Sequence, residues 1–303
     1  MDNVDLSIII VNWNTRELLA QCLASIYAHP PDGTFEIFVV DNASSDGSAQ
    51  MVRERFPSVR SIPNEENVGF ARANNQAIRI SSGRYVLLLN PDSKILPDAL
   101  QTLIEFIEEH PRAGAVGPMV LNPDLTLQSS CDPMPTLGRE FWRLMHLDRL
   151  LALSVYHEEL WDPTLPRTVD VIQGNCMLIR QEALLDVGLL DETHFMFTEE
   201  VDLCYRLLQK NWQIYWVPQA QIIHYGGQST RQAAQEMFIE LYRSKILFFR
   251  KTRGFLGSSV YKLILLIAAL TRIPSGVLRG QGAHPSTQRS RLYLSLLRAL
   301  PYM

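Results

Sequence analysis

Paired cysteines are missing from this sequence. The four present in its 303 residues, Cys22, Cys131, Cys176 and Cys204, stand far apart and have neither zinc-site nor redox-motif spacing. They read as buried thiols of a reducing compartment. Excess charge is missing too: 28 basic against 32 acidic residues give a formal net charge of −4, which excludes a protein-wide electrostatic grip on nucleic acid. No apolar run reaches the ~20 uninterrupted residues that span a bilayer. Lys262 interrupts the best candidate, residues 254 to 272, which argues against a single-pass anchor but is compatible with an interfacial helix. The N-terminus, Met1 to Asp5, carries acid where an export signal needs positive charge, and the apolar run after it is too short for one. A cytoplasmic location is the expectation. With no internal repeat or low-complexity tract, the chain reads as globular, long enough for one large domain or two modest ones.

What the sequence does have is alternation. Residues 6 to 11 form a short, continuous apolar run rich in β-branched side chains, the pattern of a strand buried on both faces. After the capping pair Asn14 and Thr15, Leu18, Leu19, Cys22, Leu23 and Ile26 recur at helical spacing. The pattern repeats with a strand at 37–40 and a helix at 48–56, then 59–62 and 71–80, then 85–89 and 97–109. Four such units predict an α/β fold with a parallel, doubly wound sheet. Beyond Leu121 comes a proline-rich stretch with scattered aromatics, suited to a lid or a substrate-facing insertion. Order resumes over 169–180, with a short helix from Gln181, a helix over 199–210 and a strand over 213–217. From Arg231 onward the chain is helical and more basic.

Ligands of such sheets bind at the carboxyl ends of the strands. The four junctions there, at 12–14, 41–47, 64–70 and 90–92, are all crowded with Asn and Asp. Either residue is also an ordinary turn former. Asp92, directly after a strand, suits a hard divalent cation bridging a diphosphate, and equally suits the start of a turn. A second acidic cluster is Glu199, Glu200 and Asp202, in the first turn of a helix that Thr198 suits as a cap. Asp202 and Arg206, at i and i+4, form an intrahelical ion pair by spacing, which assigns Asp202 to the scaffold. Glu199 and Glu200 point about 100° apart, so one can face a cleft while the other holds a loop. His224 follows a short apolar strand, where a histidine is a ligand or simply a hydrogen-bonded side chain.

These segments together resemble the family-2 glycosyltransferases, and within them the bacterial group that includes rhamnosyltransferases of surface polysaccharides. The matching stretches are 7–14, 39–48, 64–75, 87–92, 174–180, 191–206 and 224–231, in family order. The resemblance implies a GT-A fold, with a Rossmann-like, mostly parallel sheet flanked by helices and a C-terminal helical extension. It implies a catalytic domain over 1–230, its nucleotide-sugar half over about 1–121 and its acceptor half over about 122–230, and a helical region over 231–303. For the donor it implies Val11, Asn12, Asn14 and Asp41 at the nucleoside, and Asn67, Gly69, Phe70, Arg72 and Asn75 around the base, ribose and diphosphate. Asn90 and Asp92 stand where the family often has Asp-x-Asp, so one charge is missing here. Gly174 and Asn175 fall to the acceptor. Asp92 and His224 are the implied ligands of a divalent cation, Mg²⁺ or Mn²⁺. Glu200 takes the place of the family's catalytic base, with Glu199 as the alternative.

The implied activity is inverting transfer of a sugar, rhamnose being the subgroup's candidate, from a nucleoside diphosphate to a glycan or lipid-linked acceptor. Two other classes compete. A sugar-phosphate nucleotidyltransferase needs a glycine-rich phosphate loop with a basic residue, which residues 11–14 do not supply. A nucleotide-sugar-binding module needs no base, so the joint presence of Asp92, Glu200 and His224 counts against it. Finally, Arg243, Lys245, Arg250, Lys251 and Arg253 precede the apolar stretch 255–273, and Arg279, Arg289, Arg291 and Arg298 follow it. This predicts peripheral docking on the inner face of the cell membrane, with Phe248, Phe249, Leu256, Leu265 and Leu266 entering the acyl boundary. Packing of the same helices against protein is the competing reading.

Overall fold

Short β-branched runs with no polar face pair with one another only where helices cover both sides. The computed structural model, which describes residues 4–277 and 285–303, shows this arrangement. Its elements are β1 (Leu6–Asn12), α1 (Arg16–Ala28), β2 (Phe35–Asp41), α2 (Ser48–Arg55), β3 (Arg60–Pro63), α3 (Phe70–Ile78), β4 (Tyr85–Leu89), β5 (Ser93–Ile95), α4 (Ala99–Glu109) and β6 (Ala113–Leu121). There follow β7 (Leu127–Gln128), β8 (Cys131–Asp132), α5 (Leu137–Leu144), β9 (Arg167–Thr168), β10 (Val171–Ile172), β11 (Cys176–Arg180), α6 (Gln181–Val187), α7 (Glu199–Gln209), β12 (Gln213–His224), α8 (Ala234–Val277) and α9 (Pro285–Ala299). Arg279 lies outside the described residues, as do the first three residues and the side chain of Arg289.

The main sheet runs in the order β3-β2-β1-β4-β11-β6-β12-β5. Strands β1 to β4 are mutually parallel where they pair, as the alternation predicts. The sheet as a whole is mixed: β11 is antiparallel to both β4 and β6, and β5 is antiparallel to β12. A parallel neighbour needs a crossover back to the starting edge of the sheet. The chain leaves β6 at the carboxyl edge, runs back beside the start of β12 as β9, and is returned by β10 to the carboxyl edge before β11 begins. Strand β11 must therefore run the other way, and Gly174 and Asn175 are delivered beside the end of β4. Every residue of β1 and β4 is buried. Leu6, Ile8 and Ile10, one face of β1, pack with Leu19, Leu23 and Ile26 of α1 and Leu100, Leu103 and Ile107 of α4. Each such side chain contributes about 1.5–3 kcal/mol by leaving water.

All four cysteines are free and buried. Burial pushes the thiols of Cys176 and Cys204 up to about 12, so they stay protonated and are poor nucleophiles.

The fold comprises two units. The first holds the residues up to Met134 with His157–Phe195 and Glu199–Arg231; the second holds Pro135–Tyr156, Met196–Thr198 and Gln232–Met303. Sequence pattern alone draws a single boundary at 230/231 and leaves α5 unseen in the proline-rich stretch. In the second unit α5 is tied to α8 by charge: the buried Glu140 carboxylate accepts from Lys245 Nζ at 2.9 Å, Arg143 at 2.8 Å and the Tyr261 hydroxyl at 3.0 Å. Burial alone would raise the Glu140 pKa, but the two cations hold it below the ordinary range.

Candidate active site

Strand register brings the polar junctions to one edge. Asn12 is the register partner of Asp41, and His224 that of Ser93. At the β1/β2 end, Asn12 Nδ2 donates to Asp41 Oδ1 at 2.8 Å and to Ser44 Oγ at 3.0 Å, while Thr15 Oγ1 donates to Asn12 Oδ1 at 2.7 Å. Both N–H bonds and the carbonyl of Asn12 are thus engaged inside the protein. The Asn12 side chain braces this edge, and Asp41 is engaged there too, its Oδ2 accepting from Ser44 N at 3.0 Å. Asn14, at φ 51°, takes Ser45 N on its Oδ1 at 2.8 Å.

The loop before α3 is shaped by Gly69. Its φ is 86°, and a Cβ there would sit 2.4 Å from Phe195 O, so only glycine fits. Asn67 Oδ1 accepts from Gly69 N at 3.0 Å, and Phe70 N donates to Phe195 O at 2.7 Å. The loop that leads into α7 therefore hangs from the loop that leads into α3. Asn75 is engaged within the chain as well. Its Nδ2 donates to Leu190 O at 2.8 Å and Glu192 Oε1 at 2.9 Å, and its Oδ1 accepts from Leu190 N at 3.1 Å. Its amide clamps the 190–192 loop. Arg72 is exposed, and its charge helps hold Glu192 below the ordinary carboxylate range, after the hydrogen bonds from Asn75 and Arg79.

At the other end of the edge, Asp92 Oδ1 lies 3.2 Å from His224 Nε2, and Asn90 Nδ2 lies 3.4 Å from the same nitrogen. Pairing of β5 with the end of β12 creates this neighbourhood. His224 Nδ1 meets Gln128 Oε1 at 2.6 Å. Gln128 Nε2 is spent on Asn122 Oδ1 at 2.8 Å and His224 O at 3.2 Å, so its Oε1 accepts and Nδ1 bears the proton. In the neutral ring, Nε2 then presents a lone pair toward Asp92. Two lone-pair atoms so close repel unless a proton or a cation comes between them.

On the α7 side, Glu199 is buried at 4% exposure while Glu200 is partly exposed. A Cβ on Gly174 would lie 3.6 Å from the Phe70 ring and 3.8 Å from Glu200 Cβ, so Glu200 shares its surroundings with two candidate substrate positions. The helix is entered through strain: Phe197 and Thr198 both have positive φ, 67° and 70°. Thr198 is therefore not in the extended conformation of an ordinary cap. Such residues cost about 1–3 kcal/mol each and persist where the surroundings overdetermine them. Further along, Arg206 Nε pairs with the fully buried Asp202 at 2.8 Å, and its other nitrogens donate to Val187 O, Gly188 O and Leu189 O. Asp202 also lies with Asp191 and His194, their ligand-capable atoms within 4.8 Å of one another. Arg206→Ala would leave the Asp202 carboxylate without its guanidinium in the core. A loss of about 3–5 kcal/mol is expected, read as a lower urea midpoint at unchanged slope.

Residues 7–188 match the family described as Glycosyl transferase family 2. The chain belongs to that family. This glycosyltransferase is 29% identical over 262 residues to an N-acetylglucosaminyl-diphospho-decaprenol L-rhamnosyltransferase of Mycobacterium tuberculosis, covering 80% of this chain and 83% of that one. It is 30% identical over 243 residues to the low-salt glycan biosynthesis hexosyltransferase Agl10 of Haloferax volcanii, covering 78% and 72%. Its fold matches that of the mannosyltransferase PcManGT of Pyrobaculum calidifontis, solved with GDP-Man and Mn²⁺, at a TM-score of 0.57 and 17% identity over 97% of this chain and 85% of that one. The GT-A architecture expected from the sequence is the one observed.

The residue that sequence reasoning missed in this glycosyltransferase is Gln128. It sits on the two-residue strand β7 in the irregular stretch, where a single amide carries no periodic signal. Only the pairing of β7 with β6 and the run of β12 bring it to His224.

Proposed function

We propose that this glycosyltransferase is inverting, and that it moves a sugar, with L-rhamnose the candidate, from a nucleoside diphosphate to a hydroxyl of a lipid-linked glycan. The reaction would take place at the cytoplasmic surface of a membrane. The observation that carries this reading is the one sheet edge where Asp92 Oδ1 lies 3.2 Å from His224 Nε2. The likeness to an enzyme named for rhamnosyl transfer to a decaprenol-linked acceptor supports the choice of sugar and acceptor.

In this mechanism the Glu200 carboxylate takes the proton of the acceptor hydroxyl as that oxygen attacks the anomeric carbon. Attack comes from the face opposite the diphosphate, which leaves with the bonding electron pair, so a single displacement inverts the centre. Asp92 and His224 are the residues that would hold Mg²⁺ or Mn²⁺. Their oxygen and nitrogen, 3.2 Å apart, are close enough that both could serve one hard divalent cation. When bound, the cation offsets the negative charge that grows on the diphosphate. Asn90 offers a neutral oxygen beside them. Asn175, 4% exposed, has no hydrogen-bond partner for either side-chain atom among the described residues. An unmet buried amide costs about 1–3 kcal/mol, and a sugar hydroxyl at this edge would relieve it. This is the acceptor-side role assigned to Asn175, beside Gly174.

A thermal-shift screen with a panel of nucleoside diphosphate sugars tests the reading, followed by assay of released nucleoside diphosphate with a polyprenyl-linked acceptor. The largest stabilisation is expected from dTDP-L-rhamnose. Absence of a shift with every donor would remove the proposal. A narrower test concerns Gln128: Gln128→Leu keeps the side chain's bulk and removes the acceptor that orients His224. Metal-dependent donor binding is expected to weaken by about tenfold, with the melting temperature close to wild type. Unchanged metal titration would show that His224 needs no such partner.

A further inference from the structure

Helix α8 is apolar on two faces, and only one of them is covered. It breaks at Gly254, whose φ of 69° and ψ of −168° are not helical. Beyond the break, Tyr261, Leu265, Ala268 and Ala269 are fully buried, whereas Phe255 (79%), Leu256 (74%), Leu263 (55%) and Leu270 (56%) are exposed, with Ile267 and Leu266 beside them. Leu256, Val260, Leu263, Ile267 and Leu270 follow one another at steps of four and three, which makes a single stripe. Lys262, the charge that interrupts the run, is half-buried and reaches the Met303 carbonyl, so it does not break this stripe. The expectation from sequence is corrected in detail: Phe248, Phe249 and Leu265 are core residues, and Lys245 is spent on Glu140.

We propose that this exposed stripe is a docking face for an anionic lipid surface, into which it inserts without α8 crossing the bilayer. The proposal rests on the lipid-linked acceptor reading above and names the surface that serves it. Two observations choose the occupant. Arg250, Lys251 and Arg253 are all exposed at the start of the stripe, and no Asp or Glu occurs anywhere from 250 to 272. A second copy of the 250–272 stretch laid on this stripe would bring no carboxylate to Arg250 and Arg253, whereas a lipid surface would bring phosphates. The covered face decides against spanning. Arg231–Arg272 is long and apolar enough to cross a membrane by length and composition. Yet Tyr261 is held in the second unit by its hydrogen bond to Glu140, and withdrawing the helix into lipid would strip that buried carboxylate of a partner and expose Tyr261 OH to hydrocarbon.

Flotation of the full chain with vesicles of phosphatidylcholine, with or without one-third phosphatidylglycerol, tests this. Wild type should float with the anionic vesicles at low salt and be released by high salt. Leu263→Asp with Ile267→Asp, both at exposed positions, should abolish flotation while leaving the circular dichroism and the donor-induced thermal shift unchanged. Arg250→Ser with Lys251→Ser and Arg253→Ser should weaken partitioning about a hundredfold. Donor binding is read separately, so loss of the membrane idea and loss of the glycosyl-transfer reading are distinguishable. A dimer in light scattering that the Asp variant dissolves, without flotation by wild type, would give the face to a second copy. Protein released only by detergent would mean that α8 spans the bilayer. Wild type that ignores anionic vesicles at low salt overturns the proposal outright.

Discussion

Glu200→Gln is expected to bind donor normally and to lose two to four orders of magnitude in turnover, the usual worth of a positioned base. The substitution keeps shape and removes basicity, so a loss confined to turnover isolates proton transfer. The geometry makes Glu200 the better choice of the adjacent pair. Glu199 is buried at 4% exposure, and Glu200 is partly exposed beside Gly174 and Phe70. Single-turnover kinetics of both Gln variants settles the assignment. Near-normal turnover in Glu200→Gln, with the loss in Glu199→Gln, would move the role to Glu199. Because Phe197 and Thr198 hold the entry to α7 in strained backbone, both variants should be compared at equal folded fraction.

The second large effect concerns the cation. Asp92→Ala should weaken donor binding by roughly a hundredfold in Mg²⁺ or Mn²⁺ and change it little in chelator, the upper end of what losing even an outer partner of a metal ligand costs. Asp92 Oδ1 and His224 Nε2 are 3.2 Å apart, and Gln128 fixes which ring nitrogen is turned to the carboxylate. With Asn90 in place of a second acid, the pair has one charge fewer than the pattern it resembles, so Asp92 carries the electrostatic share alone. Isothermal titration of donor with and without the metal reads this directly. If wild type keeps full activity in chelator, the metal role is wrong, and the charge on the leaving diphosphate must be met by amides or by Arg72.

Much of this protein is legible in its sequence because the signals are local. The change from runs of β-branched residues to helical spacing is set by neighbours a few residues apart; it marks β1 to β4 and α1 to α4 within about two residues of their ends, but not the short β5, whose segment reads as a turn. The Asn and Asp residues after each strand mark the candidate edge for the same reason. The Asp202–Arg206 pair, one helical turn long, was equally legible.

Tertiary structure decided what depends on distant segments meeting. Local pattern cannot say that β11 enters antiparallel, because that follows from the route of 122–175 and not from the strand's own residues. Nor can it say which amides the fold itself engages: Asn12 and Asn75 look like their neighbours in sequence, yet each is hydrogen-bonded to partners that folding brings to it. The approach of Asp92 to His224, the support from Gln128 and the choice of which apolar face of α8 stays uncovered are of the same kind. The sequence by itself determined the alternation, the fold class and the residue types available at the edge, since these come from short-range sterics and periodicity. Which of those residues share a site was decided only by long-range strand pairing and packing, since a side chain's freedom to bind depends on whether another part of the chain has already satisfied it.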